Sequence, residues 1–129
     1  MKIPKLQDLS PEQLAERFKQ LSFQQADDLN STKYFRTASN QLENVAAELR
    51  RRGPEARRAL VPLLDCRDDS RTMSAVAQCH LNAAEQLLAV EPDRARATLE
   101  ELANSVTQYQ MVLARGTLKA LNSGTWKPT

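Results

Sequence analysis

Apolar residues recur along this chain at three- and four-residue intervals, the spacing of one face of an α-helix, and polar punctuation separates the runs. Leu14, Phe18, Leu21 and Leu29 fall in one narrow sector at 100° per residue and predict a helix near 11–30. Ser10, Pro11 and Gln13 supply its N-cap, a proline at the first helical position and a capping-box glutamine. Phe23 points off that stripe and is expected to cover a neighbouring helix; an exposed anchor for a partner is the sharper alternative. Phe35, Ala38, Leu42, Val45, Ala46 and Leu49 predict a second helix near 32–52, entered through Asn30, Ser31 and Thr32. Arg50, Arg51 and Arg52 suit the negative end of its dipole, and Gly53 followed by Pro54 stops it and starts the next.

The third helix, near 54–64, buries Ala56, Ala59, Leu60, Leu63 and Leu64, with Pro62 bending its last turn. A charged loop follows, in which Asp68, Asp69 or Ser70 can cap a fourth helix near 70–89. That helix carries Met73, Val76, Ala77, His80, Leu81, Ala84, Leu87 and Leu88 on one stripe. The fifth, near 92–104, faces Ala95, Leu99, Leu102, Ala103 and Val106 inward. The sixth, near 107–122, has two apolar strips: Met111, Ala114, Leu118 and Leu121 on one side, Tyr109, Leu113, Gly116 and Ala120 on the other. A helix apolar on two sides is sandwiched or partly reserved for a partner. Trp126 in the tail is expected to plug the last helix pair.

PEARRALVPLL from Pro54 and PDRARATLEEL from Pro92 repeat at a spacing of 38 residues, pairing Arg58 with Arg96, Val61 with Leu99 and Leu64 with Leu102. Self-similarity at such a period marks stacked helical repeats. PEARRALVPLLD (54–65), HLNAAEQLLAVEPDRARATLEELA (80–103) and the tail GTWKP (124–128) together resemble a bacterial domain-of-unknown-function family of short HEAT-like α-superhelical proteins. The resemblance implies an all-α, HEAT-like superhelix of about six helices in antiparallel pairs, without implying an activity. Small HEAT-like folds include immunity proteins that block toxins, an analogy of fold alone. The chain departs from the pattern at CRDDSRTMSAVAQ, longer than the usual short turn, and Cys79 and His80 stand near the usual Val-Arg pair, so no arginine ladder is expected between repeats.

With 129 residues, one helical domain over 1–129 is expected. A formal charge of +2 supplies no overall field for nucleic acid or anionic membrane. Arg50, Arg51, Arg52, Arg57, Arg58, Arg67 and Arg71 do cluster along the chain, which keeps a HEAT-like nucleic-acid binder as the least favoured alternative, because acids dilute the patch and no aromatic interleaves it. No run approaches a membrane span and MKIPKLQDLSPEQ lacks the apolar core of an export signal, so a cytoplasmic protein is expected.

Cys66 and Cys79 match no zinc or redox spacing and read as reduced, buried thiols. The single histidine, His80, sits where a core residue belongs, and Cys79 diverges from it by about 100° on the helix. HExxH, CxxC and glycine-rich phosphate loops are absent from the sequence, so neither a catalytic set nor a metal or other cofactor is expected. The expected function is a non-enzymatic protein-binding module, most concretely an immunity protein masking a bacterial toxin or effector domain; a regulatory scaffold for a cellular protein is the alternative. Inner helices 4 and 6 are expected to line its concave binding face. Asp68, Asp69 and Arg71 in the inserted loop, His80, and Tyr109 with Arg115 on the sixth helix are the candidate binding residues.

Overall fold

The computed structural model describes residues 5–129, and every regular element among them is helical. The helices are α1 (Pro11–Asp27), α2 (Thr32–Arg52), α3 (Pro54–Arg57), α4 (Met73–Leu87), α5 (Pro92–Ala103) and α6 (Gln108–Ser123), with 3-10 turns at Leu6–Asp8 and Arg58–Leu64. The domain expected over 1–129 is described from Lys5 onward, since residues 1–4 lie outside the described part. Among the described residues no helix is long and apolar enough to cross a membrane.

The capping box forms as its residues require: Ser10 Oγ accepts from the Gln13 amide at 3.1 Å and Gln13 Oε1 from the Ser10 amide at 2.8 Å. Helix α1 ends at Asp27, three residues early, and Leu29 falls in the following turn, only half-buried. Gly53, at φ +105°, ends α2 in a conformation that side chains with a Cβ resist.

The third helix departs from the regular element expected over 54–64. It is α-helical only over Pro54–Arg57 and then tightens to 3-10. Pro62 has no N–H to offer the Arg58 carbonyl, and its ring would press on that carbonyl in an α-helix. The second copy has no proline there and stays α-helical to Ala103.

Helix α4 is the hub, packing on α1, the Arg58–Leu64 turn, α5 and α6, while α1 also packs on α2. Phe23, fully buried, is explained by that position: α1 is covered on two sides, so a residue off its main stripe is still interior. Phe18, Leu49, Leu60, Leu81, Leu87 and Leu99 are the large apolar side chains at the centre.

Arginines tie the helix ends together. Arg52 donates to the carbonyls of Leu9 (2.6 Å) and Leu6 (2.9 Å), and Arg57, itself buried, to those of Gln86 (3.4 Å) and Thr129 (3.0 Å). Glu48 pairs with Arg51 and Arg52, which hold its carboxyl down to about 2. The arginines matched by the 38-residue offset find different partners: Arg58 reaches Glu91 Oε1 at 3.2 Å, ahead of α5, and Arg96 reaches Asn122 Oδ1 at 2.9 Å, near the end of α6. Arg58 thus ties the 3-10 turn to the start of α5, whereas Arg96 ties α5 to α6.

A line of side-chain amides and hydroxyls also crosses the interior. From α6, Gln110 Nε2 donates to Gln78 Oε1 (2.9 Å) and Ser74 Oγ (3.0 Å) on α4, and Gln78 Nε2 to Asn82 Oδ1 (3.1 Å). Asn82 Nδ2 donates to Ser22 Oγ (3.0 Å) and Gln25 Oε1 (2.9 Å) on α1, and Gln25 Nε2 to Ser39 Oγ (2.9 Å) on α2. Buried amides need such partners, and four helices supply them to one another.

Candidate functional site

The segment between Leu64 and α4 is too polar to be buried and too short of periodic apolar residues to form a helix. It folds on itself: Asp68 Oδ1 accepts from the Ser70 amide at 3.0 Å, and the Asp68 carbonyl from the Arg71 amide at 3.1 Å. Asp68 is thereby spent on its own turn, which also lowers its pKa, chiefly through Ser70. The α4 cap is not Asp68, Asp69 or Ser70 but Thr72, whose Oγ1 accepts from the Ala75 amide at 3.1 Å.

Between this segment, α4, α5 and the α5–α6 connection lies a groove of about 480 Å³. Val76, Ala77 and Leu102 form its apolar floor; Arg67, Asp68, Asp69, Arg71 and Glu101 charge its rim. Two of its lining residues, Met73 and Val106, were expected on buried stripes and are instead 67% and 81% exposed. Met73 is the first residue of α4 and Val106 lies three beyond the last of α5, so neither helix carries its side chain inward. The groove also differs in place from the expected one, since α4 and α5 line it and α6 contributes only its N-cap residue Thr107.

Of the candidate residues, Asp68, Asp69, Arg71 and His80 come together on this groove. Tyr109 and Arg115 do not line it. Tyr109 is exposed near the start of α6, and Arg115 Nε donates to the Ala103 carbonyl at 2.8 Å, closing the C-terminal end of α5. Arg71 is a structural tether as well: it lies 3.6 Å from Asp27 and 3.3 Å from Gln20 Oε1, with its guanidinium 5.1 Å from the centre of the Phe23 ring. The second strip of α6 stays uncovered at Tyr109 and Leu113, with Val112 exposed beside them, and Trp126, 40% exposed, borders it without plugging it.

His80 is half-buried, its Nε2 2.8 Å from the Cys66 carbonyl. Burial opposes its charge, but the Cys66 side chain and carbonyl, with Asp65 beyond, hold its pKa above the ordinary value. Behind it, Cys66 Sγ lies 3.8 Å from Cys79 Sγ. This juxtaposition has no signal in the sequence, because it depends on a 3-10 turn and a loop folding back across α4. Among the described residues no three His, Cys, Asp or Glu side chains are gathered as a metal site.

Residues 12–122 match the family described as a domain of unknown function, DUF2019. The chain belongs to the DUF2019 family. This DUF2019 chain is also similar, at 29% identity and a TM-score of 0.86, to the crystal structure of the protein RPA1889 from Rhodopseudomonas palustris CGA009. The match covers 98% of this chain and 100% of that one. No curated protein matches it.

Proposed function

We infer that this DUF2019 protein is a non-enzymatic protein-binding module that takes an apolar segment of a partner polypeptide into the groove between α4 and α5. In its most concrete form it is an immunity protein masking a toxin or effector domain. The observation that carries this reading is the pair Met73 and Val106, two large apolar side chains held in water on the lining of one groove. Left in water they add nothing to folding, and a partner that covered them would gain the free energy of their burial. The rim mixes two arginines with three acids, which suits a protein surface carrying both signs and not the uniform charge of a phosphate backbone. Arg50, Arg51, Arg52, Arg57 and Arg58 are engaged with internal partners, so the arginine run is accounted for as architecture. The packing of α5 on α4 and on the Arg58–Leu64 turn supports a short HEAT-like stack as the frame.

The test is parallel affinity capture from the native host with the wild-type chain and a Met73→Lys/Val106→Lys variant. A protein retained by the first and lost by the second, at unchanged melting temperature, supports the groove as interface. Stoichiometric inhibition of that protein's toxicity establishes immunity, and a harmless cellular partner establishes the scaffold alternative. Identical retention by both chains removes the groove from binding.

A further inference from the structure

The two cysteines are 13 positions apart in sequence and 3.8 Å apart at sulfur, on elements of different rigidity. Cys79 is fully buried on α4; Cys66 is half-buried in the irregular segment that follows the 3-10 turn. The sulfur separation exceeds the covalent S–S length of about 2.05 Å by less than 2 Å, within reach of a side-chain rotation and a small loop shift. His80 holds the Cys66 carbonyl at 2.8 Å, and the Lys19 ammonium on α1 also favours ionisation of Cys66. The pair is asymmetric. The hydrogen bond between the two sulfurs, then His80 and Lys19, draw the Cys66 pKa down against the opposing effect of burial, while the same hydrogen bond and burial push Cys79 up. A half-buried thiol whose ionisation its neighbours favour, 3.8 Å from a buried thiol, is the arrangement of an attacking and a resolving cysteine.

We propose that Cys66 and Cys79 form a peroxide-oxidised dithiol, with Cys66 the sulfur attacked first, Cys79 the resolving thiol and His80 a positioning residue. The Cys66 thiolate attacks one oxygen of hydrogen peroxide; an S–O bond forms, the O–O bond breaks, and the departing hydroxide takes a proton to become water. Cys79 sulfur then attacks the Cys66 sulfenic acid. The S–S bond forms, the S–O bond breaks, and the hydroxyl leaves as water with the Cys79 proton. Two electrons pass from the thiol pair to one peroxide, giving one disulfide and two waters. An added dithiol reverses the change.

The experiment treats the reduced 129-residue chain with hydrogen peroxide at pH 7, alkylates remaining thiols and maps peptides by mass spectrometry. Trypsin cuts after Arg67 and Arg71, so the two cysteines fall on separate peptides that only a disulfide joins. The expected product is a monomer carrying a Cys66–Cys79 cross-linked peptide, formed roughly tenfold faster than free cysteine is oxidised. Cys79→Ser should stop at a Cys66 sulfenic acid that a cyclic 1,3-diketone traps, and Cys66→Ser should leave Cys79 unreacted. His80→Gln should slow the first step several-fold without changing the product. Two intact thiols after excess peroxide, oxidation of Cys66 only to sulfinic acid, or a purely intermolecular disulfide would each overturn the assignment. The chain's monomer state and circular dichroism, recorded for every variant, separate a lost reaction from a lost fold.

Discussion

Gln110 Nε2 and Gln78 Oε1 meet at 2.9 Å inside the protein, α6 reaching α4 through a hydrogen bond between two uncharged amides. Gln78 passes the connection on to Asn82, so removing it strands partners on both sides. Gln78→Met should therefore cost about 2 kcal/mol, the typical penalty of leaving buried polar groups unpaired. The doubly substituted Gln78→Met/Gln110→Met chain should lose less than the sum of the single changes, because Gln110 Oε1 is already without a partner. Urea unfolding of the four chains of that cycle reads the coupling directly; strict additivity would show that the amide contact carries no energy.

Two glycines should respond to alanine with opposite signs. Nothing lies within 4 Å of a Cβ built at either Gly53 or Gly116, so crowding is not at issue. Gly53 sits at φ +105°, and Gly53→Ala should cost on the order of 1 to 3 kcal/mol in backbone strain. Gly116 is inside α6 with ordinary helical backbone, and Gly116→Ala should gain about 0.5 to 1 kcal/mol. Thermal melts of both variants decide the matter.

Glu85 on α4 is pushed up from 4.5 to about 7 by burial. Its folded pKa is the higher one, so the stability it permits is complete below about pH 4.5 and is lost as pH rises through 7. Glu85→Gln should flatten that decline and raise stability at pH 8 by on the order of 1 kcal/mol, a figure reduced for its partial contact with water. Equal gains at pH 4 and pH 8 would assign the effect to packing and not to ionisation.

Arg71 and Asp69 are close in sequence and should behave differently. Arg71→Glu breaks the contacts with Asp27, Gln20 and the Phe23 ring and should lower stability by about 1 kcal/mol. Asp69→Arg, at an exposed position of the loop, should leave the melting temperature within about a degree. Charge reversal at Arg71 thus perturbs the fold as well as the groove, which is why Met73 and Val106 are the cleaner probes of binding.

Much of the fold was legible in the chain because its helices announce their own beginnings. Ser10 with Gln13, Gly53 before Pro54 and Pro92 each mark a start by local chemistry, and those starts lie where that chemistry puts them. What the periodicity hid were the events at helix ends. Met73 and Val106 continue the apolar rhythm by one position too many, and only the end of hydrogen bonding turns them outward. Gln78 and Gln110 were hidden for the opposite reason: a polar residue breaks an apolar stripe, and its burial depends on a partner from another helix. The meeting of Cys66 and Cys79 depends on loop geometry, for which no spacing rule exists.

The interior amides from Gln110 to Ser39 have a mechanical corollary. Each interhelical donor finds its acceptor at one axial offset only, so sliding a helix by a single turn, about 5.4 Å, would break the bonds that join that helix to its neighbours. The stack is keyed, and it is not free to flex like a spring. Its teeth lie on α6, α4, α1 and α2, so the α4 wall of the groove is locked from behind, while α5, the facing wall, has no part in the lock.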